Sequence, residues 1–295
     1  MPKLMLSLAI VLGLTSPTSA QVVGPNVDEL AKELSNPGAS NATQNFKFEY
    51  RTFGGNLHGA DDQNSTTFTY QPVLPFKLDS GNNLIFRPAF VYSWGQPSLD
   101  AASGSFTGLN SFGDIPYDLL YSWNSGGWTL GAGVVGLVPT GSDTSTENWL
   151  LGPSFLATKP TDWGIYGIFP FHNEKVGGSG ADTSITSLQY FLFYGLGGGW
   201  MVGTGPTMTY DWNAPSGQEW TVPVQLAVSK TTAIGKRIVK LNFSVERNVV
   251  RPDTFAEDMT YTFTISPVTK NPFQKNPPSP PLDAATRAAL LAPIR

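Results

Sequence analysis

From Asn45 onward the chain alternates apolar and polar positions with a period of two, as strands do when one face meets an apolar medium. Phe46, Phe48 and Tyr50 share one side, while Lys47, Glu49 and Arg51 occupy the other. Trp220, Val222, Val224, Leu226 and Val228 alternate with Thr221, Gln225 and Ser229 in the same way. So do Met259, Tyr261, Phe263 and Ile265 with Thr260, Thr262 and Thr264. About twelve runs can be read, near residues 46–51, 65–76, 84–94, 112–123, 128–138, 149–158, 163–172, 183–194, 200–210, 219–229, 237–247 and 258–266. Each approaches the roughly ten residues that a tilted strand needs to cross a bilayer.

The connectors alternate in length. Residues 54–64, 95–111, 139–148, 173–182, 211–218 and 248–257 are long and rich in Gly, Ser, Asn and Asp. Residues 77–83, 124–127, 160–162, 195–199 and 230–236 are short. Long loops at one end and short turns at the other predict an all-β, up-and-down antiparallel transmembrane β-barrel with its termini in the periplasm. The eight tryptophans fall where runs meet connectors. Trp94, Trp149, Trp212 and Trp220 then lie at the outer end, and Trp123, Trp128, Trp163 and Trp200 at the inner end. Two such belts suit an indole, whose ring prefers the headgroup layer while its N–H stays wet.

Eight prolines resist this reading. Pro72, Pro75, Pro88, Pro116, Pro153, Pro170, Pro206 and Pro223 sit inside proposed strands, where each removes a ladder donor.

The 295 residues open with Lys3, an apolar run over residues 4–14 and the small residues Thr18-Ser19-Ala20. That is the form of a secretory signal peptide cleaved after Ala20. The expected organisation is a signal over 1–20, a periplasmic segment over 21–44, the barrel over 45–268 and a proline-rich tail over 269–295. Within the second part, Asn26 with Glu29 resembles a capping box opening one short helix, stopped by Asn36-Pro37. Its position before the first strand suggests a plug in the periplasmic mouth. With no cysteine, disulfide and thiolate chemistry are excluded.

Lys47, Glu49, Arg51, Arg87, Asp114, Asp118, Lys240 and Glu246 fall on the polar, lumen-facing side and are the candidate pore-lining residues. Such ions can discriminate solutes by charge, or pair off and stiffen a filled barrel; twelve strands permit either. The aromatic faces are expected to point to lipid, which removes them as a solute site. Enzymatic signals are thin. His58 beside Asp61 and Asp62, or His172 beside Asp182, are the only base–acid pairings the two histidines offer. Neither a metal spacing nor a nucleotide-binding loop occurs in its required context, so no cofactor is expected. The net charge of −4 argues against nucleic acid.

Three stretches carry a family likeness: DELAKELSNP from Asp28, FGDIPYDLLYSW from Phe112, and GPTMTYDW followed by EWTVPVQLAVSKTTAIGK from Gly205. In order and spacing they resemble the MetA-pathway phenol-degradation group of outer-membrane transporters, over about residues 28–268. The sequence departs from that pattern in the stretch 226–230, which lacks a glycine expected before the lysine, and in its extra tail. The resemblance implies a channel for small hydrophobic or aromatic compounds, with the lipid bilayer and a small solute as partners. The competing readings are a non-transporting barrel that anchors or recognises, a membrane-embedded hydrolase and a secreted β-sandwich. The last would be soluble without detergent.

Overall fold

The structure, a computed structural model, describes residues 27–273 except 101, 236 and 272. The signal and nearly all of the proline-rich tail lie outside the described residues. A short helix α1 (Val27–Glu33) precedes β1 (Ala42–Gly54) and β2 (Asn64–Lys77). Next come β3 (Asn83–Pro88 and Phe90–Asp100) and β4 (Ser105–Phe112 and Ile115–Ser125), each interrupted once. β5 (Trp128–Val138), β6 (Asn148–Pro160), β7 (Gly164–Gly178) and β8 (Ser184–Gly197) follow. β9 (Trp200–Thr204 and Thr207–Asp211), β10 (Trp220–Ile234), β11 (Arg237–Val250) and β12 (Ala256–Thr269) complete the set.

Every strand pairs antiparallel with its neighbour in sequence, and β1 pairs with both β2 and β12. Fused across their interruptions, the segments make a closed barrel of twelve strands. Closure removes the free edge, which a sheet in hydrocarbon could not satisfy. Outside, Phe48, Phe90, Phe155, Leu192, Leu226 and Phe243 lie open on the wall. Rings meet across strands there, Phe48 tilted against Phe68 and Tyr70 stacked on Phe90.

Two connectors differ from expectation. Most of 95–111 is not a loop: β3 and β4 continue outward as a paired ribbon, Leu99 opposite Phe106 and Asp100 opposite Ser105. Part of 173–182 likewise extends β7 to Gly178. Both stretches retain strand-forming residues among their polar ones, and cross-strand pairing outweighs the local turn signals. At the N-terminal boundary β1 begins at Ala42, earlier than the alternation indicated.

The prolines find their explanation in the ladder. Pairing between β2 and β3 lapses at residues 71–73, opposite 87–89, where Pro72 and Pro88 sit. Pro116 faces the same break, its carbonyl accepting from Ala89 N at 2.8 Å. Between β9 and β10 pairing lapses at residues 204–208, opposite 222–226, where Pro206 and Pro223 sit. Pro153 and Pro170 fall in gaps of the β6–β7 ladder. Pro75 lies beyond the last β1–β2 pair, Thr43 with Val73. A residue without an N–H is tolerated where no carbonyl awaits one.

Candidate functional site

The segment from α1 to Asn41 enters the barrel at its short-turn end. Asp28 Oδ1 accepts from Gly199 N at 2.6 Å, and Lys32 Nζ donates to Thr161 O at 2.9 Å, both partners being in short turns. Beyond the helix, Ser122 Oγ donates to Gly38 O at 3.1 Å and Asn36 Nδ2 donates to Thr129 Oγ1 at 3.1 Å. Ala31 joins an interior cluster with Ile85, Leu120, Leu156, Ile165 and Met201. Gly38 is held so closely that a Cβ there would meet Thr129 and Leu156 within 2.8 Å. The helix thus lies inside the wall at the mouth formed by the short turns.

Above the plug the lumen holds a chamber of about 740 Å³, within the range that encloses a small organic ligand. One side, from β1, β2 and β10–β12, is hydroxyl- and amide-lined; Thr69, Gln71, Asn242, Ser244, Thr262 and Thr264 are among its residues. Of the eight residues expected to line a lumen, Lys47, Glu49, Arg87, Asp118, Lys240 and Glu246 bound this chamber. Their charges are largely paired off. Glu49 meets Lys47 at 3.2 Å and Arg51 at 3.0 Å, and Arg51 reaches Glu257 at 3.0 Å. Arg87 is joined to Asp118, with its guanidinium 5.4 Å from the centre of the Phe169 ring. Lys240 turns to the plug, donating to Ser35 Oγ at 2.7 Å and Leu34 O at 3.3 Å.

Glu246 is different. It receives Gln225 Nε2 at 2.9 Å and has no cation at ion-pair distance among the described residues. Gln225 is held in turn, since its Oε1 accepts from Gly205 N at 2.9 Å. The side-chain amide thereby stands in for the ladder bond missing at the β9 break.

The opposite side of the chamber is aromatic. Phe169 and Phe171 of β7 and Phe191 and Phe193 of β8 point inward, correcting the expectation that the aromatic faces meet only lipid. β7 and β8 are apolar on both faces: Tyr166, Ile168, Leu192 and Tyr194 occupy the alternate positions. Alternation therefore gave no signal for which set turned in. The absence of a polar face was itself the available clue. Glycine makes room for the rings, as a Cβ on Gly203 would lie 2.7 Å from Phe193 Cδ1.

Asp114 does not bound the chamber. It occupies the break in β4, at the long-loop end, and organises the loop after β5. Thr140 N donates to Oδ1 at 3.0 Å, while Thr146 N and Thr146 Oγ1 each donate to Oδ2 at 2.7 Å. Partial burial pushes its carboxyl up, but these amide and hydroxyl donors, with Ser145, hold it below the usual carboxylate range.

Trp94, Trp149, Trp212 and Trp220 stand toward the long-loop end, exposed, and Trp163 and Trp200 are exposed at the short-turn end. Trp123 and Trp128, also at that end, are half-buried. Lysines cover two of the latter group: Lys159 lies 5.3 Å from the Trp128 ring and Lys230 5.1 Å from Trp200. Ammonium groups over indoles favour such a boundary between apolar surface and water.

The histidine pairings read from sequence are not formed. Asp182 contacts Lys175 instead, and His172 lies between Thr186 Oγ1 at 3.0 Å and Glu174 Oε2 at 3.2 Å. His58 makes no hydrogen bond with Asp61, whose Oδ1 accepts from Gly55 N at 3.3 Å.

No protein-family model and no curated protein matches the chain, so the MetA-pathway resemblance is not confirmed by a family model. The likeness is to solved structures. The COG4313 outer membrane channel from Pseudomonas putida F1 aligns with a TM-score of 0.57 at 14% identity, covering 78% of this chain and 96% of that one. The NanC porin aligns at 0.48 and 9% identity, covering 76% and 98%. The toluene transporter TodX from Pseudomonas putida aligns at 0.41 and 12% identity, covering 81% and 92%. Closed strand order, a greasy exterior and the first of these likenesses agree: the fold is a twelve-stranded outer-membrane β-barrel.

Proposed function

We propose that the protein is an outer-membrane channel that admits a small, partly apolar solute to the lumen by passive diffusion. The observation that carries this reading is the chamber itself, polar on one side and phenylalanine-lined on the other, within a wall whose outer face suits lipid. A barrel serving only as scaffold has no need of a void this size, since interiors otherwise fill with side chains. The two tryptophan groups are the interfacial belts, with the long loops outside the cell and the plug on the periplasmic side.

The plug also supports a second reading, a barrel that recognises ligands or partners at its outer loops and passes nothing. Liposome swelling separates the two. Proteoliposomes containing the mature chain are expected to swell in small neutral aromatic alcohols faster than empty vesicles. Rates no faster than those of empty vesicles, both for the mature chain and for a variant lacking residues 21–41, would sink the transport reading.

A further inference from the structure

We infer that the chamber is a binding site for organic cations: an ammonium group carried on an aromatic or other flat apolar body. This rests on the reading of the lumen as solute-accessible, and names the class of solute.

Charge gives the sign. Among the chamber's cations, Lys47 and Arg87 each have a carboxylate partner. The remaining one, Lys240, is directed at the plug. Glu246 alone among the wall's chamber-lining carboxylates makes no ion pair among the described residues; Lys47 and Arg51 act on it only from a distance, each being paired to Glu49. Glu33, on the plug, faces the same space. Lys240 cannot neutralise Glu246. Six positions apart on one strand, the two are separated by roughly 20 Å. With Lys47 and Arg51 set against Glu49, Glu257 and Glu246, the residual charge at the upper part of the chamber is negative.

Geometry supplies the rest. Phe191, Gly205, Gln225 and Glu246 follow one another across β8, β9, β10 and β11. The ring and the carboxylate are thus about three strand spacings apart, roughly 14 Å along the wall and less across the curved lumen. Gly205 places no side chain between them. Gln225 fixes the carboxylate, donating to it while accepting from Gly205 N. A flat ring on Phe191 would leave its ammonium arm directed at a pre-oriented acceptor, the Phe193 face being already occupied by Lys240 Nζ at 5.8 Å. Ring faces attract cations as well as other rings, so the body and the head group are both favoured there.

The test is calorimetric titration of the full mature chain in non-ionic detergent with three probes of matched shape: 2-phenylethylammonium, 2-phenylethanol and 3-phenylpropanoate, each corrected against empty micelles. The ammonium is expected to bind about tenfold more tightly than the carboxylate, the alcohol falling between. Glu246→Gln is expected to remove most of the ammonium's advantage while leaving the alcohol unchanged. Carboxylate binding as tight as the ammonium in the wild-type protein overturns the proposal, and needs no variant to fold. An undiminished preference in Glu246→Gln overturns the assignment to this residue. Binding is measured here without passage. A protein that prefers the ammonium yet swells no liposome refutes transport alone, and one that conducts without preference refutes this inference alone.

Discussion

Asp114 shows how much one carboxylate can hold. Its oxygens take the amides of Thr140 and Thr146, anchoring both sides of the loop between β5 and β6. Its folded-state pKa lies below the usual value of about 3.9. The stabilisation it gives is therefore complete above that value and is lost as pH falls through the lower, folded one. Residues 139–147 should become protease-sensitive below about pH 4 in the wild-type protein. In Asp114→Ala they should be cut at neutral pH, with about 1–3 kcal/mol of stability lost. Equal cleavage rates at pH 7 would remove the role given to this side chain. The Arg87–Asp118 pair makes a different prediction. Both groups are nearly enclosed, 13% and 17% exposed. Arg87→Met alone should cost about 3–5 kcal/mol, whereas Arg87→Met with Asp118→Leu should restore most of it. Urea midpoints of the single and double variants in micelles provide the comparison.

At the scale of elements, the plug and the broken strands matter most. The plug is tied by separate polar contacts at Asp28, Lys32, Ser35, Asn36 and Gly38. None of these residues belongs to the closed β-ladder, so removing residues 21–41 should leave the barrel folded. Planar-bilayer recordings of that variant are expected to show larger single-channel conductance than the intact chain. Unchanged conductance would mean that the segment does not obstruct the path. β9 depends on side chains where its ladder fails, Gln189 reaching Gly205 O at 3.3 Å and Gln225 accepting from Gly205 N. Gln225→Leu would orphan that amide and release Glu246 together. Loss of stability should therefore accompany loss of charge preference.

For the whole molecule, the exterior decides the medium. Phe112, Phe155, Leu226 and Trp149 are each half exposed or more, and a continuous apolar surface of this kind is not compatible with free solution. The purified chain should stay monodisperse in detergent and aggregate on its removal, and a monodisperse detergent-free sample would contradict the membrane reading. Much of this was legible beforehand. Alternation over about ten residues, alternating connector length and tryptophans at strand ends are local properties, so they survive in one sequence, and they specified strand number, order and antiparallel sense. The four interior phenylalanines were not legible. β7 and β8 are apolar on both sides, and which side faces inward follows from closure of the wall by pairing distant residues such as Tyr50 with Tyr261. Nor could the sequence distinguish Asp114, which serves a loop, from Asp118, which serves the chamber, four residues away. Period two assigns both to the same face, and only the break in β4 sends one of them elsewhere. The sequence by itself determined a barrel and its two ends. The tertiary structure decided what the barrel contains, because a lumen is made by residues remote in the chain that meet only once the cylinder has closed.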